Sequence, residues 1–296
     1  MSLVINHNMM ALNAARNLSN SYGALATSTR RLSSGLRVGT AADDAAGLAI
    51  RELMRADIAS LNQGMRNAND AISLIQTADG ALQVIDEKLI RMKELAEQAA
   101  TGTYTSDQRM IIDSEYQAMA SEITRIANAT DFNGIYLLNG NLSGATHDGS
   151  GLNATGKLKV HFGAGNSSAE DYYYIQIGAA TASALGVGNQ SAPDAGFSIS
   201  TQAGAQAALD ALNEAIVSKD KIRANLGALQ NRLENTITNL SIQAENLQSA
   251  ESRISDVDVA EEMTNFVRNQ ILTQSAVAML AQANQLPQMA MQLMQG

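Results

Sequence analysis

The sequence predicts a mainly α protein in which long, antiparallel, coiled-coil-like helical rods carry a small β-hairpin region and the N- and C-terminal helices pair. Aromatic residues make up only 4% of the 296 residues and tryptophan is absent, so the core must be built from Ala, Leu, Ile, Val and Met, which favours closely packed helices. Apolar residues recur at alternating spacings of three and four at both ends of the chain. Strand-like alternation and turn signals are confined to the middle.

The composition narrows the classes of function. A net charge of −9 argues against nucleic-acid binding, because no basic stripe is available to neutralise phosphates. The absence of cysteine excludes disulfides, thiolate chemistry and cysteine-type zinc sites. The first residues, MSLVINHN, lack the basic and apolar segments of a conventional signal peptide. A cytosolic location is therefore the default, unless a dedicated exporter handles the chain.

The first predicted element is a terminal helix within residues 1–36. Its residues at alternating spacings of four and three form the predicted seam of a helix pair: Ala11, Ala15, Leu18, Tyr22, Leu25, Thr29, Leu32 and Leu36. Ser33–Gly35 and then Gly39 predict a joint. Asp43 or Asp44 can cap the next helix, because a short acceptor side chain can bond the free N–H groups of the first turn.

A long rod is predicted over residues 44–100. One heptad register of apolar residues persists through it, with Asp79 as the polar occupant of one position. At 1.5 Å per residue the rod would span about 85 Å. Thr105 with Gln108 predicts a capping box that opens a further helix to about Asn128.

The period changes from residue 130 onwards. Asn133–Gly134 is a strong turn signal. Three short strands are predicted: Ile135–Leu138, Leu158–Phe162 and Tyr172–Ile177. Residues 139–156 and 178–200 are rich in small and polar residues, so we predict that they are surface connections.

A helical register resumes near Thr201 and forms a second rod, which can return along the first. The segment SDVD at residues 255–258 predicts a second joint. Asp258 with Glu261 can cap the final helix.

The last segment, Asn269 to Gly296, contains no Asp, Glu, Lys or Arg. Ordering one residue costs about 1–2 kcal/mol and burying an aliphatic side chain returns about 1.5–3 kcal/mol, so this helix needs cover on most sides. Copies of the same chain would supply that cover. They would also explain the missing charges, because like charges on neighbouring copies repel in a dense core. A simple buried core helix is the alternative that this segment alone leaves open.

An antiparallel return would bring residues 30–37 beside residues 256–262. Three arginines would then face four acids across the joints: Arg30, Arg31 and Arg37 against Asp256, Asp258, Glu261 and Glu262. Each exposed pair contributes about 0–1 kcal/mol, so these pairs would set register more than stability. Charges that are merely solvated at helix ends are the alternative interpretation.

Motifs for catalysis and metal binding are missing, so we predict no enzyme activity and no cofactor. Residues 151–157 match the first seven positions of a phosphate-binding loop, but Leu158 replaces the Ser or Thr that binds magnesium. His7, His147 and His161 are widely separated, which argues against a zinc site.

Five stretches of the sequence resemble bacterial flagellins. They are RLSSGLR (31–37), DDAAGLAI (43–50), RNANDAISLIQTADGAL (66–82), TDFNGIYLLNG (130–140) and LAQANQLPQM (280–289), and they lie in both helical arms. The resemblance implies a structural subunit that self-assembles into the helical flagellar filament used for motility. It also implies that the chain is secreted unfolded through the flagellar type III apparatus and resides in the extracellular filament.

The same resemblance implies a domain organisation. Residues 1–42 with 256–296 would form a terminal-helix core domain in the inner tube of the filament. Residues 43–178 with 200–255 would form a helical rod domain with the β-hairpin. Residues 179–199 would be a short connection where the outer variable domain of the family is missing.

The partners that the resemblance implies begin with copies of the chain itself. Both ends would become helical when they are buried among neighbours. We expect axial polymerisation to depend on Leu18, Tyr22, Leu25, Met263, Phe266, Ile271, Leu280 and Leu286. Flagellar cap and hook-junction proteins are further implied partners, as is a flagellin-specific export chaperone at the C-terminal helix. Neither nucleic acid nor a membrane is expected as a partner.

A patch recognised by the animal flagellin-sensing Toll-like receptor is also implied, with Arg91, Leu95 and Glu115 as its main contacts by motif match. Arg91 and Leu95 are four residues apart and share a helical face. Leu95 falls outside the heptad seam, so we expect it to be partly exposed. Ile90 departs from the polar residue that is common in the family.

Two alternative functions remain open at this stage. A hook–filament junction protein would share the terminal helices, but the complete stretch RNANDAISLIQTADGAL favours a filament flagellin. A secreted membrane-interacting translocator would use the ends as amphipathic surface helices. Their polar faces lack the Lys and Arg enrichment that binding to a membrane interface usually shows.

Overall fold

The computed structural model describes residues 8–148, 155–168, 170–188 and 198–295. The helices are α1 (Met9–Ser34), α2 (Ala45–Ala100), α3 (Ser106–Ala129), α4 (Gln202–Ser255) and α5 (Val259–Gln295). The strands are β1 (Asp131–Phe132), β2 (Ile135–Tyr136), β3 (His147–Asp148), β4 (Thr155–Gly156), β5 (Leu158–His161) and β6 (Tyr172–Ile175). The predicted mainly α class, with long helices and small antiparallel strand pairs, is confirmed.

The chain divides into two compact units. Unit 1 is Met1–Ile58 with Glu245–Gly296, and unit 2 is Ala59–Ala244. Both units include part of α2 and part of α4. The division of the chain at the two joints, near residues 42 and 256, stays a prediction.

In unit 1, α1 and α5 form the predicted terminal helix pair, and they run antiparallel. Asn8 at the start of α1 donates from Nδ2 to the carbonyl of Ala283 at 2.7 Å, and near the other end Arg31 approaches Glu262. The side chains of α1 that are least exposed recur at spacings of three and four: Ala11, Ala14, Leu18, Ser21, Leu25, Ser28 and Leu32. The matching row of α5 is Glu262, Phe266, Asn269, Thr273, Ala276, Leu280 and Ala283.

The observed seam of α1 agrees with only about half of the predicted seam. The predicted positions 11, 18, 25 and 32 lie in it, but Ala15, Tyr22 and Thr29 are exposed and their places are taken by Ala14, Ser21 and Ser28. The replacing side chains are small, so they fit between two closely packed helices. The apolar pattern of the sequence was wider than the face that one partner helix covers, which leaves Tyr22 outside the pair.

The two joints of unit 1 lie side by side, as the antiparallel return predicts. Leu36 and Asp256 form an isolated antiparallel bridge, flanked by hydrogen bonds from the N–H of Arg37 to the carbonyl of Ser255 and from the N–H of Val257 to the carbonyl of Gly35. Gly35 ends α1 in the left-handed region, at φ 72°, where glycine is favoured. The backbone N–H and C=O groups that are left free at the two joints therefore bond to each other.

Side-chain caps begin the helices where the sequence indicates. Asp44 accepts from the N–H of Gly47 at the start of α2, and Asp258 accepts from the N–H groups of Ala260 and Glu261 at the start of α5. Thr105 and Gln108 form the predicted capping box of α3. These predictions succeed because a cap depends on residues that are neighbours in sequence.

Unit 2 packs α3 and α4 against α2. Arg109 on α3 donates to the carbonyl of Ala99, and Lys93 donates to the side chain of Asn213 on α4. The fully buried side chains of α2 follow the predicted register, for example Leu82, Ile85, Leu89, Met92 and Ala96. Tyr116 and Ile123 of α3 are buried as well.

Among the described residues of unit 2, the strands form three separate antiparallel pairs: β1–β2, β3–β4 and β5–β6. Asn133 and Gly134 both have positive φ in the first turn, which agrees with the predicted Asn-Gly signal. The β5–β6 hairpin docks on α2, where Asn67 donates to the carbonyl of His161 at 2.8 Å. Gly64 permits this approach, because a Cβ there would lie 1.9 Å from the carbonyl oxygen of Phe162.

The prediction that residues 139–156 and 178–200 are surface connections is partly wrong. Buried residues of these segments are Leu142, Ala180, Ala182, Leu185, Val187 and Ile199. Their backbone also pairs, since the N–H of Ala180 donates to the carbonyl of Leu138. Scattered apolar residues in a Gly- and Ser-rich stretch carry no periodicity, so sequence reasoning could not detect that the rods cover them.

Candidate self-association surface on the terminal helices

The α5 helix presents apolar side chains on faces that α1 does not cover. The exposed ones are Val259, Met263, Val267, Ile271, Leu272, Val277, Met279 and Met289. At 100° per residue these positions surround the helix outside the α1 seam. Ile271 is 57% exposed, so in the isolated chain the apolar segment has only part of the cover that it needs.

A groove between α1 and α5 adds to this surface. It has a volume of about 570 Å³ and is lined on the α1 side by Met10, Asn13 and Asn17 and on the α5 side by Leu272 and Met279. Its lining contains two amides, two hydroxyls and two thioethers but no ionised side chain. An uncharged groove beside uncharged helix faces is suited to an apolar or amide-rich occupant.

The residues predicted for axial polymerisation fall into two groups. Leu18, Leu25, Phe266 and Leu280 are half-buried in the seam between α1 and α5. Tyr22, Met263 and Ile271 are exposed. The side chain of Leu286 lies outside the described part of the chain. Their role in polymerisation stays a prediction.

The predicted set of joint ion pairs is mostly replaced by other contacts. Arg31 Nη1 lies 3.6 Å from Glu262 Oε2, and among the described residues this is the predicted pair that forms across the joint. Arg30 instead binds Asp43 at 2.8 Å. Arg37 donates to the carbonyl of Ile254 at 2.8 Å.

Two acids of the second joint accept hydrogen bonds from residues close to them in the chain instead of pairing with the arginines. Asp256 accepts from the hydroxyl of Ser252, and Asp258 caps α5. Glu261 is exposed on the first turn of α5. Charge complementarity alone missed these contacts because free hydroxyl and N–H groups at helix ends compete for the same carboxylates.

Asp43 organises the first joint. The hydroxyl and the N–H of Thr40 both donate to its carboxylate, and Arg30 binds the other oxygen. The hydrogen bond from the Thr40 hydroxyl, followed by the backbone hydrogen bond and the arginine charges, holds the pKa of Asp43 below its ordinary value. The loop is also tied to α2, because the buried Arg51 donates to the carbonyl of Val38 at 2.6 Å.

Two of the predicted receptor-patch residues meet on the surface of unit 2. Arg91 donates from Nη2 to Glu115 at 2.8 Å and from Nη1 to Glu94 at 3.0 Å. Hydrogen bonds to these carboxylates, with Glu115 first, raise the pKa of Arg91.

The predicted exposure of Leu95 is wrong, because its side chain is only 2% exposed. The heptad pattern of α2 marks a single apolar seam, which predicts one partner helix and leaves Leu95 outside the contact. In the structure α2 packs against both α3 and α4, and this buries a second stripe that includes Leu95. The role of Leu95 as a receptor contact stays a prediction.

Sequence reasoning also missed a set of charges between α2 and α4. Lys219 lies 2.6 Å from Asp86, and Arg223 lies 2.7 Å from Asp79. The signal was present, because Asp79 and Asp86 are one heptad apart and the two cations are one helical turn apart. Nothing in the sequence indicated which acid would meet which cation.

The sequence predicts neither a metal site nor a membrane partner, and two further findings concern the described residues. No group of three potential metal ligands occurs there, and none of the helices there is long and apolar enough to cross a membrane. His147 contacts the carbonyl of Lys157, and His161 stacks on Tyr172. Residues 151–154 of the loop-like stretch and His7 lie outside the described part.

Comparison with known proteins matches both arms of the chain. A model of the bacterial flagellin N-terminal helical region matches residues 5–143, and one of the bacterial flagellin C-terminal helical region matches residues 209–294. The chain is 43% identical to the flagellar filament 33 kDa core protein of Treponema phagedenis, over 99% of this chain and 100% of that protein. It is also 43% identical to the flagellin of Bacillus subtilis, over 98% of this chain and 99% of that protein. With both helical regions matched and relatives aligned over their whole length, the chain belongs to the bacterial flagellin family.

Proposed function

We propose that this chain is the structural subunit of a bacterial flagellar filament, and that copies of the chain assemble through their terminal helices. The observation that carries the proposal is the ring of exposed apolar side chains around α5, with Ile271, Leu272 and Met279 outside the α1 seam. Covering a side chain of this size is worth about 1.5–3 kcal/mol when burial is complete. Several such residues per copy would provide a large driving force for association.

The charge distribution supports self-association over other partners. From Asn269 to the end the chain has no ionisable side chain. In a homopolymer, equivalent positions on neighbouring copies approach one another, and like charges about 6 Å apart would repel by roughly 3 kcal/mol at an effective dielectric near 20. A surface that meets its own copies is therefore best built from apolar and amide side chains.

The relatives give the form of the assembly. The Treponema phagedenis protein is named a flagellar filament core protein, and it aligns with this chain from end to end. The hook–filament junction and translocator alternatives are not favoured by these full-length relatives. The family consists of structural proteins, and we propose no enzyme activity for this member.

Within the filament, we assign the inner tube to residues 1–42 with 256–296 and the next shell to residues 43–178 with 200–255. Seam residues such as Leu18 and Leu280 would hold α1 and α5 together, and Tyr22 and Ile271 would contact neighbouring copies. Residues 179–199 would take the place of an outer domain.

Further partners belong to the same proposal. The chain would be secreted unfolded through the flagellar type III apparatus, with an export chaperone protecting the apolar α5 before release. The cap and hook-junction proteins would meet the terminal helices at the two ends of the filament. Arg91 and Glu115, which are exposed in the isolated chain, would provide the polar part of a receptor contact.

Seeded assembly tests the proposal. Purified chain added to sheared filaments should elongate them and gain helical circular dichroism, whereas the chain lacking residues 269–296 should do neither. Ile271→Ser should raise the critical concentration about tenfold, since about 1.4 kcal/mol of apolar contact is lost. Ile242→Ser is a matched control, because Ile242 on α4 is 55% exposed against 57% for Ile271. Ile242→Ser should raise the critical concentration less than Ile271→Ser, because neighbouring copies would cover α4 on fewer sides than α5. Equal elongation by the truncated chain would overturn the proposal.

A further inference from the structure

The methionines of this chain are distributed unevenly over its surface. Among the described side chains six methionines are largely exposed, and five of them lie on α1 and α5: Met9, Met10, Met263, Met279 and Met289. The sixth, Met110, lies on α3 in unit 2. The other methionines whose side chains the structure describes are half-buried or buried, and Met92 is fully buried in the core. Exposed thioethers are thus concentrated on the surface that the proposed function uses.

Two of them line one groove. Met10 on α1 and Met279 on α5 line the uncharged groove between the terminal helices from its two sides. Leu272 on α5 also lines it. A thioether is flexible and polarizable, so it suits a surface that must adapt to a second copy. The same sulfur atoms are open to oxidants as long as the chain is unassembled.

We propose that Met10 and Met279 form an oxidation-sensitive site that blocks self-association when it is converted to methionine sulfoxide. The inference rests on the proposed function, because it requires the groove to be covered by a neighbouring copy. The site would act on the unassembled chain and would be protected once the chain is in the polymer.

The chemistry requires a two-electron oxidant, for which hydrogen peroxide is the simplest. The thioether sulfur attacks one peroxide oxygen, an S=O bond forms while the O–O bond breaks, and water leaves. The sulfur is oxidised by two electrons and the peroxide is reduced by two. Methionine sulfoxide reductases reverse the change, so the block would be reversible.

The physical effect follows from polarity and volume. The sulfoxide oxygen is a strong hydrogen-bond acceptor, and a neighbouring apolar side chain that covers it would leave it without water or a donor. When a neighbouring copy fills the groove, the added atom also takes up volume that the neighbour would occupy. In the free chain the same oxygen remains in water, so oxidation penalises only the assembled state. We expect the critical concentration to rise about tenfold for each sulfoxide that is covered.

A modification-interference experiment tests this without any mutation. Monomer is partly oxidised with hydrogen peroxide, seeded, and separated into filament and supernatant, and the sulfoxide fraction at each methionine is measured by mass spectrometry. Sulfoxide at Met10 and Met279 should be depleted from the filament about tenfold. Met110 is the internal control, because it is 64% exposed against 63% for Met279, and its sulfoxide should be depleted much less.

A variant experiment supplies the second measurement. For each protein the critical concentration of oxidised monomer is divided by that of its own unoxidised monomer. The ratio should be large for the natural chain, fall strongly for Met10→Leu with Met279→Leu, and stay large for Met110→Leu. Treatment with methionine sulfoxide reductases should return the oxidised natural chain to its original value, and circular dichroism of the monomer should not change on oxidation.

The outcomes separate the two proposals. Equal sulfoxide fractions in filament and supernatant at Met10 and Met279 would overturn the inference, as would equal depletion at Met110. In either case normal seeded growth of the unoxidised chain would leave the proposed function standing. Failure of the unoxidised chain to grow on seeds would overturn both.

Discussion

The ammonium group of Lys219 lies 2.6 Å from the carboxylate of Asp86, and the lysine side chain is only 2% exposed. Asp220, the next residue in the chain, also lies 2.7 Å from this nitrogen. One helical turn further along α4, Arg223 binds Asp79 at 2.7 Å. A charge in the wrong register of the α2–α4 pair would be buried without a partner, so these contacts select one alignment of two long and otherwise repetitive helices.

The first prediction concerns this buried pair. Asp86→Asn should lower the free energy of unfolding by about 1.5–3 kcal/mol, because it weakens a charge-assisted hydrogen bond to a buried ammonium. Lys219→Met should cost less, because it removes the buried charge and leaves Asp86 in contact with solvent. Urea denaturation of the monomer measures both. Glu122→Gln is the control, because the Glu122–Arg125 pair is exposed and its attraction is screened by solvent. An equal effect of Glu122→Gln and Asp86→Asn would contradict the register argument.

The second prediction compares two glycines of α2. Gly64→Ala should destabilise unit 2 by about 1–3 kcal/mol, because its Cβ would lie 1.9 Å from the backbone oxygen of Phe162 and the β5–β6 hairpin must shift. Gly80→Ala should stabilise by about 0.5–1 kcal/mol, because nothing lies within 4 Å and alanine favours the helix.

Equilibrium unfolding in urea gives the sign of both changes. Hydrogen exchange at the amides of Val160 and Tyr173 would localise the effect of Gly64→Ala to the hairpin. A stabilising Gly64→Ala would show that the hairpin does not sit against α2.

The third prediction concerns pH. The hydrogen bond from Arg223 holds the pKa of Asp79 below its ordinary value of 3.8. A carboxyl with a depressed folded-state pKa contributes stability above its unfolded pKa and loses it as pH falls through the folded value. Asp79→Asn should therefore be less stable than the natural chain at pH 7, and it should approach the natural chain in stability as pH falls below 3.8 and through the lowered folded-state pKa of Asp79.

Thermal melts of the monomer from pH 7 to pH 2 measure this difference. Arg223→Gln should flatten the same part of the profile, and the double variant should add little to either single change, because both remove one interaction. Parallel profiles for Asp79→Asn and the natural chain would rule out the contribution of this pair.

The fourth prediction separates Leu95 from Arg91 in the proposed receptor patch. Leu95→Ala should cost about 2–5 kcal/mol of unfolding free energy, because it empties a buried site beside α3. Arg91→Ala should change the free energy of unfolding far less, because its ion pairs are exposed and screened by solvent.

Binding of the soluble receptor domain should weaken with Arg91→Ala while the monomer remains fully folded. Any loss of binding in Leu95→Ala should accompany a change in the packing of α2 and α3, which hydrogen exchange would detect. Unchanged unfolding of Leu95→Ala would mean that the side chain is not buried.

Much of the fold could be predicted because its signals are local. The cap at Asp44, the capping box at Thr105 and the turn at Asn133–Gly134 each involve residues within four positions of one another. The two joints could be predicted for the same reason, since glycine and short polar residues interrupt the heptads there.

The candidate surface could be predicted only in outline. The lack of charge after Asn269 indicated association, but it did not indicate which α5 residues α1 would cover. Tyr22 was placed in the seam and is exposed, whereas Ser28 is buried in its neighbourhood. When the apolar stripe of a helix is wider than one contact face, the sequence does not indicate which part of the stripe the partner helix will cover.

By itself the sequence determined the helical class, the register of α2, the helix ends and the flagellin family, because periodicity, capping and motifs depend on residues that are close together in the chain. The tertiary structure alone decided that Leu95 is buried, that Arg30 binds Asp43 rather than the second joint, and that Lys219 meets Asp86. Each of these depends on which distant helix arrives at a given face. A helix with several usable faces cannot specify its neighbours one residue at a time, so burial and pairing are settled only when all the helices pack together.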